Sequence, residues 1–208
     1  MKNLEIQNLI IEPTSFSMNM DDPIEIYNIE ICAGCDSEYL AGRMKVQYLN
    51  LSNPDDTYFD IFDSDGILNG AYTELFQGMS DHLKYEIECE FEEPGYSNML
   101  FIDKIQVYPD FRGYKLGLKA IYCAIERLGR ECSYVILKAF PLQFEDKNRK
   151  KDEQWNELMD PEYFEQNQEI AQQKLIAHYA KLGFRQINNS SYMLLNRDLK
   201  QPELNFSS

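Results

Sequence analysis

The chain has no surplus of positive charge. Its 20 lysines and arginines stand against 35 aspartates and glutamates, for a net charge of −15. Nucleic-acid binders show the opposite balance, because phosphates are met by clustered lysine and arginine. No nucleic-acid partner is therefore expected. An acidic surface instead favours cationic small molecules or basic peptides, by steering. Long hydrophobic runs are also missing, and none approaches the roughly 18 residues a membrane helix needs. The opening MKNLEIQNLIIEP has acidic and amide side chains where a signal peptide would be apolar. The chain reads as cytoplasmic, with no membrane partner. Cysteines are odd in number, five, which without a leader predicts free thiols. Cys32-Ala-Gly-Cys35 has the spacing of half a zinc site. No second pair follows it, and the only histidines are His82 and His178. No metal is expected. Internal repeats and low-complexity linkers are lacking.

What is present is enough for one domain spanning 1–208, since a chain of 208 residues can bury a real core. Its most informative stretch is 99–130, MLFIDKIQVYPDFRGYKLGLKAIYCAIERLGR. Leu100, Phe101, Ile102, Ile105 and Val107 are strand formers, and Pro109 ends the run. From about Tyr114 the apolar spacing changes. Leu118, Ile121, Ala124, Ile125 and Leu128 mark one face of a helix, and Gly129 is its stop. Between the two lie Arg112, Gly113, Tyr114, Lys115, Leu116 and Gly117. A glycine-bearing loop that opens a helix presents unpaired N–H groups and the positive end of the helix dipole, which suits phosphate oxygens.

The rest of the chain supplies a sheet. Residues 24–31 alternate apolar and polar with a shift of phase at Tyr27-Asn28, as a bulge would give. Residues 40–51 read as the hairpin partner, and 82–92 as a third strand. A helix is expected around 68–76. Asp60, Asp63 and Asp65 read as its solvated start, because the calcium-loop register fails. Residues 132–140, CSYVILKAF, form a continuous apolar run, as in a strand covered on both faces. With the preceding strand and helix it makes a βαβ unit, so the two strands should be parallel. The last helix, 167–182, carries Ala171, Leu175, Tyr179 and Leu182 on one face, with Asn167 as N-cap and Gly183 as stop. A final strand spans 184–195, bent at Asn188-Asn189-Ser190. The charged stretch 141–166 is an insertion, anchored by Trp155, Leu158, Tyr163 and Phe164.

VYPDFRGYKLG resembles the acetyl-CoA loop of the GCN5-related N-acetyltransferases, Gln/Arg-x-x-Gly-x-Gly/Ala. Arg112 takes the first position and Gly117 the last; Lys115 stands at the middle glycine. Residues 177–184, AHYAKLGF, resemble the family's second motif, aromatic-Tyr-x-Lys-x-Gly-Phe, with His178 at the first aromatic. The resemblance covers about 95–197. It implies an α/β (α+β) fold with a mixed, mostly antiparallel central sheet, a splayed parallel strand pair and helices on both faces.

The resemblance also implies an acyltransferase that moves acetyl from acetyl-CoA directly to a primary amine. The implied phosphate cradle is Arg112 to Leu118, by backbone amides and by the charges of Arg112 and Lys115. The backbone of Ile105, Gln106 and Val107 would hold the pantetheine arm. Tyr179 matches the family's general acid. Where some members place a glutamate base this chain has Phe101, so Asp103, on the same strand face, is the candidate. Water-linked Glu90 or Glu92, or an amine that arrives neutral, remain alternatives. Gln172 stands where the family often has asparagine. The acceptor is a small-molecule or peptide amine, and the chain a monomer or homodimer. A non-catalytic acyl-CoA-binding module is the alternative reading.

Overall fold

The computed structural model describes residues 9–17 (backbone alone), 22–34, 39–52, 56–144 and 164–203. Three strands come first: β1 (Leu9–Ser17), β2 (Ile24–Ala33) and β3 (Tyr39–Leu49). Three short helices follow, α1 (Tyr58–Phe62), α2 (Gly66–Leu75) and α3 (Tyr85–Phe91). Then come β4 (Asn98–Val107), α4 (Leu116–Leu128), β5 (Cys132–Lys138), α5 (Gln168–Tyr179), β6 (Arg185–Gln186) and β7 (Tyr192–Asn196). The strands lie in the order β1-β2-β3-β4-β5-β7-β6. Every pairing is antiparallel except β4 with β5. The fold is mixed α/β, as expected, with helices on both faces.

Two cores sandwich the sheet. On one face α4 and α5 pack Leu116, Ile121, Ala124 and Tyr179 against Ile29, Ile31, Leu100 and Val135. On the other, α1 to α3 pack Phe62, Leu68, Phe76 and Phe91 against Leu49, Phe101, Tyr134 and Ile136. Phe62, Tyr72 and Phe76 meet at ring separations of 5.0 to 5.8 Å, the offset and tilted geometries aromatic pairs favour.

Local chemistry sets the helix ends. Thr57 accepts from the Asp60 amide, Asp65 from that of Ile67, and Asn167 from that of Ile170, at 2.7 to 3.2 Å. Asp65 thus starts a helix, as read. Gly183 closes the last turn with a left-handed φ of 95°.

The expected third strand at 82–92 is a helix instead. Leu83, Tyr85, Ile87, Cys89 and Phe91 alternate as a strand would. However, Ile87 and Phe91, one helical turn apart, are the two residues α3 buries. Two of its acids, Glu86 and Glu88, fall in the first turn, where the dipole welcomes them. The phase shift in β2 also has another cause than a bulge there. Ile24 packs toward the second core and Ile29 and Ile31 toward the first, so the strand changes which face it buries. The break in register falls on β1, between Pro13 and Ser15. Of the expected anchors of the insertion, Trp155, Leu158 and Tyr163 lie outside the described residues.

Candidate active site

The site arises because β4 outlasts its partner. The last β4–β5 pair is Ile102 with Leu137, yet β4 continues to Val107 beside β3. A bulge falls at this point: Lys45 faces Lys104 and Val46 faces Ile102, leaving Asp103 as the extra residue. Beyond it, Tyr108 donates its amide to the Ala41 carbonyl at 2.8 Å. By the alternation of an antiparallel ladder, Gln106 also faces β3, so Ile105 and Val107 turn their N–H and C=O groups toward the side β5 has left. A hydrogen-bonding edge is thus exposed inside the fold.

That edge forms one wall of a cavity of about 700 Å³. The α4 loop forms its end. Lys115 caps α4 in the left-handed region, φ 59° and ψ 18°, and Gly113 has φ 86°. The amides of Lys115, Leu116, Gly117 and Leu118 donate to no group among the described residues; the first bonded one is Lys119, to the Lys115 carbonyl at 3.0 Å. Gly117 has no positive φ, and a Cβ there would sit 3.6 Å from Val107 and 3.8 Å from Ile105, an ordinary contact. Packing therefore does not demand a glycine at 117; the space beside it belongs to the cavity.

Arg112 spans the opening. Its Nε donates to the Val107 carbonyl at 3.1 Å, and its guanidinium carbon lies 4.2 Å from the centre of the Phe164 ring. Gln143 donates to the Glu165 carbonyl at 3.1 Å, tying the two flanks of 145–163 together at the rim. Among the described residues four cations, Arg112, Lys115, Lys174 and Lys181, line this cavity against one carboxylate, Glu165. On a chain of net −15 that is a local reversal of sign.

The far wall is α5. Ala171, Leu175 and Tyr179, spaced by four, face the cavity in part rather than only the sheet. Tyr179 is buried, and its hydroxyl has no hydrogen-bond partner among the described residues. A buried hydroxyl left unpaired costs about 1–3 kcal/mol, so a group that satisfies it on binding has a gain to collect. Burial pushes its pKa up to about 12. His178 also lines the cavity, with its ring 5.7 Å from that of Tyr179. Burial, helped by Lys181, holds its pKa below the usual imidazole value.

Of the residues expected from sequence, the cavity gathers Ile105, Gln106, Val107, Arg112, Gly113, Lys115, Leu116, Gly117 and Tyr179. Tyr114 is exposed and Leu118 points into the core. Asp103 and Gln172 do not line the cavity. The Asp103 carboxylate is held by Lys45 Nζ at 2.6 Å and by Gln47 Nε2 at 3.2 Å, so it stands apart from Tyr179. Sequence reasoning missed Phe140, Pro141, Leu142 and Lys174 as wall residues. Their only signal was position, just past β5 or one turn before His178. Among the described residues no three of His, Cys, Asp and Glu cluster to hold a metal ion. No helix there is long and apolar enough to cross a membrane. No family model, no curated protein and no solved structure matches the chain.

Proposed function

We propose that the chain is an N-acetyltransferase, taking acetyl from acetyl-CoA and passing it directly to a primary amine. One observation carries this reading. A single cavity joins free helix-start amides, an open strand edge and a buried, unpartnered tyrosine hydroxyl. These suit, in turn, phosphates, an amide-bearing arm and a sulfur. Acetyl-CoA supplies a thioester carbonyl open to attack by nitrogen.

The residues divide the work. The amides of Lys115 to Leu118 meet phosphate oxygens, and Arg112 and Lys115 add charge. The backbone of Ile105 and Val107 pairs with the arm as an added strand would. Tyr179, with its pKa raised to about 12, keeps its proton at neutral pH. The burial that penalises its phenolate also penalises a bare thiolate, so the proton is wanted at sulfur. The bonding balance is that of aminolysis. Nitrogen bonds to the acetyl carbon, sulfur leaves with the bond pair and takes the Tyr179 proton, and the proton lost by nitrogen returns to Tyr179 through water. Free thiols at Cys89, Cys123 and Cys132 fit a cytoplasmic place of action.

A second reading, a module that binds acyl-CoA without turnover, is favoured by one fact. Among the described residues the one carboxylate on this cavity, Glu165, is engaged by Lys174 at 2.6 Å. Calorimetric titration of acetyl-CoA tests what both readings share. Wild type should bind at micromolar concentration, and a folded Arg112→Ala/Gly117→Glu variant should not. No binding by wild type would end both readings; binding without thiol release on an amine panel would leave only the second.

A further inference from the structure

An aliphatic amine in neutral water is an ammonium, and its nitrogen has no lone pair to attack with. Direct transfer to such an amine needs a group that takes one proton before the C–N bond forms. The carboxylates considered from sequence are placed elsewhere. Asp103 is held by Lys45 and Gln47, and Glu90 and Glu92 belong to α3 and its end, on the other face of the sheet. Glu165, on the rim of the cavity, is engaged by Lys174.

His178 is placed for the task. It is half-buried, it lines the cavity one residue before Tyr179, and the two rings stand 5.7 Å apart, edge to face. Its ring nitrogens have no hydrogen-bond partner among the described residues. The charged groups that share the cavity with it are Lys174 and Lys181 on its own helix, Arg112 and Lys115 from the α4 loop, and Glu165. β4 and residues 140–143 bring no titratable side chain there. Burial penalises charge on both rings, with opposite chemical results. The Tyr179 phenol keeps a proton to give, and the His178 imidazole keeps a lone pair to receive one. Neighbours divided in this way suit an acid and a base.

We infer that His178 is the general base of the transfer, taking a proton from the ammonium of the acceptor beside the thioester that Tyr179 serves. The inference rests on the acetyltransferase reading and completes its proton balance for an acceptor that arrives charged. The first proton passes from the amine to a ring nitrogen of His178 and then to solvent. The freed lone pair bonds to the acetyl carbon, and sulfur leaves with the bond pair and takes the Tyr179 proton. The second proton lost by nitrogen returns to Tyr179 through water. The surrounding cations loosen the hold of an ammonium on its proton, as they do that of an imidazolium.

The test uses the full chain with His178→Gln and His178→Ala. Acetyl-CoA is titrated into each by calorimetry, and retained affinity checks the fold and the cofactor cavity. Thiol release at neutral pH is then read with cadaverine and ethanolamine, which are ammonium ions there, and with trifluoroethylamine and aniline, which are not. Both variants should be slower than wild type by about 10²-fold or more with the charged amines, and far less impaired with the neutral ones. Added imidazole should restore part of the rate to His178→Ala, which leaves it room. Unchanged rates in the variants, or equal losses with both kinds of amine and no rescue, would overturn the inference while leaving the acetyltransferase intact. Loss of acetyl-CoA affinity in the variants would assign His178 to the cofactor and overturn it too. Wild type that binds acetyl-CoA and releases thiol with none of the four amines would overturn both readings.

Discussion

The two halves of β4 both carry strand-forming residues and behave differently. Residues 99–102 are paired with β3 on one side and β5 on the other, and every one is buried. Residues 103–107 keep β3 alone, and every one is only half-buried. Neighbours account for the contrast, since Ile105 and Val107 are as strand-prone as Leu100 and Ile102. The paired half holds two cores together. The half with one partner retains unspent hydrogen-bonding capacity on its free edge, and that is where the cavity stands.

Truncating each half gives the widest contrast. Phe101→Ala, at a fully buried position, should lower unfolding free energy by about 3–5 kcal/mol. Ile105→Ala should cost about 1–2 kcal/mol while weakening acetyl-CoA binding. Denaturant melts and calorimetry on the pair would dissolve the comparison if the two lost equal stability. Next in size is chemistry without loss of stability. Tyr179→Phe should slow thiol release by about 10²–10⁴-fold with acetyl-CoA affinity nearly unchanged, and the melting temperature should rise, because an unpaired buried hydroxyl is removed. A wild-type rate would remove Tyr179 from the mechanism.

Gly42 probes the edge shared with β3. A Cβ there would run into the Gln106 carbonyl, so Gly42→Ala should force β3 and the open half of β4 apart. The expected loss is about 1–3 kcal/mol, together with reduced acetyl-CoA affinity. Lys115→Gly is smaller. It removes left-handed strain of about 1–2 kcal/mol and adds about 0.5–1 kcal/mol of backbone entropy to the unfolded chain. A slight rise in stability should accompany weaker phosphate binding.

Smallest is the response to pH. The folded state holds His178 below its unfolded pKa, so the unfolded chain binds the extra proton first. Stability should fall as pH drops through the unfolded value of about 6.5. His178→Gln should flatten that part of the melting-temperature profile. An equally steep profile in the variant would assign the slope elsewhere.

Much of this was legible in the chain. The apolar run of β5, the periodicity of α4 and the caps at Asp65, Asn167 and Gly183 are local signals that the folded neighbourhood reinforces. So are Arg112 to Gly117 and Tyr179, whose places follow from one turn and one helix. The strand misread at 82–92 shows the limit. Over so few residues, alternation in sequence does not distinguish a strand from a helix that buries only Ile87 and Phe91. The place of Asp103 was invisible for a different reason. Lys45 and Gln47 become its neighbours only through the register of β3 with β4, and that register turns on a bulge no short window reveals.

The departure of β5 from β4 also writes a signature in time. Amides at Leu100 and Ile102 sit deep in a doubly bonded ladder and exchange hydrogen with solvent only when the sheet opens. Those of Ile105, Val107 and the first turn of α4 have no ladder to break, so they exchange as soon as water reaches them. Anything that fills the cavity must slow this second set and leave the first untouched. The protein therefore carries its own occupancy gauge, readable amide by amide before any product has been made.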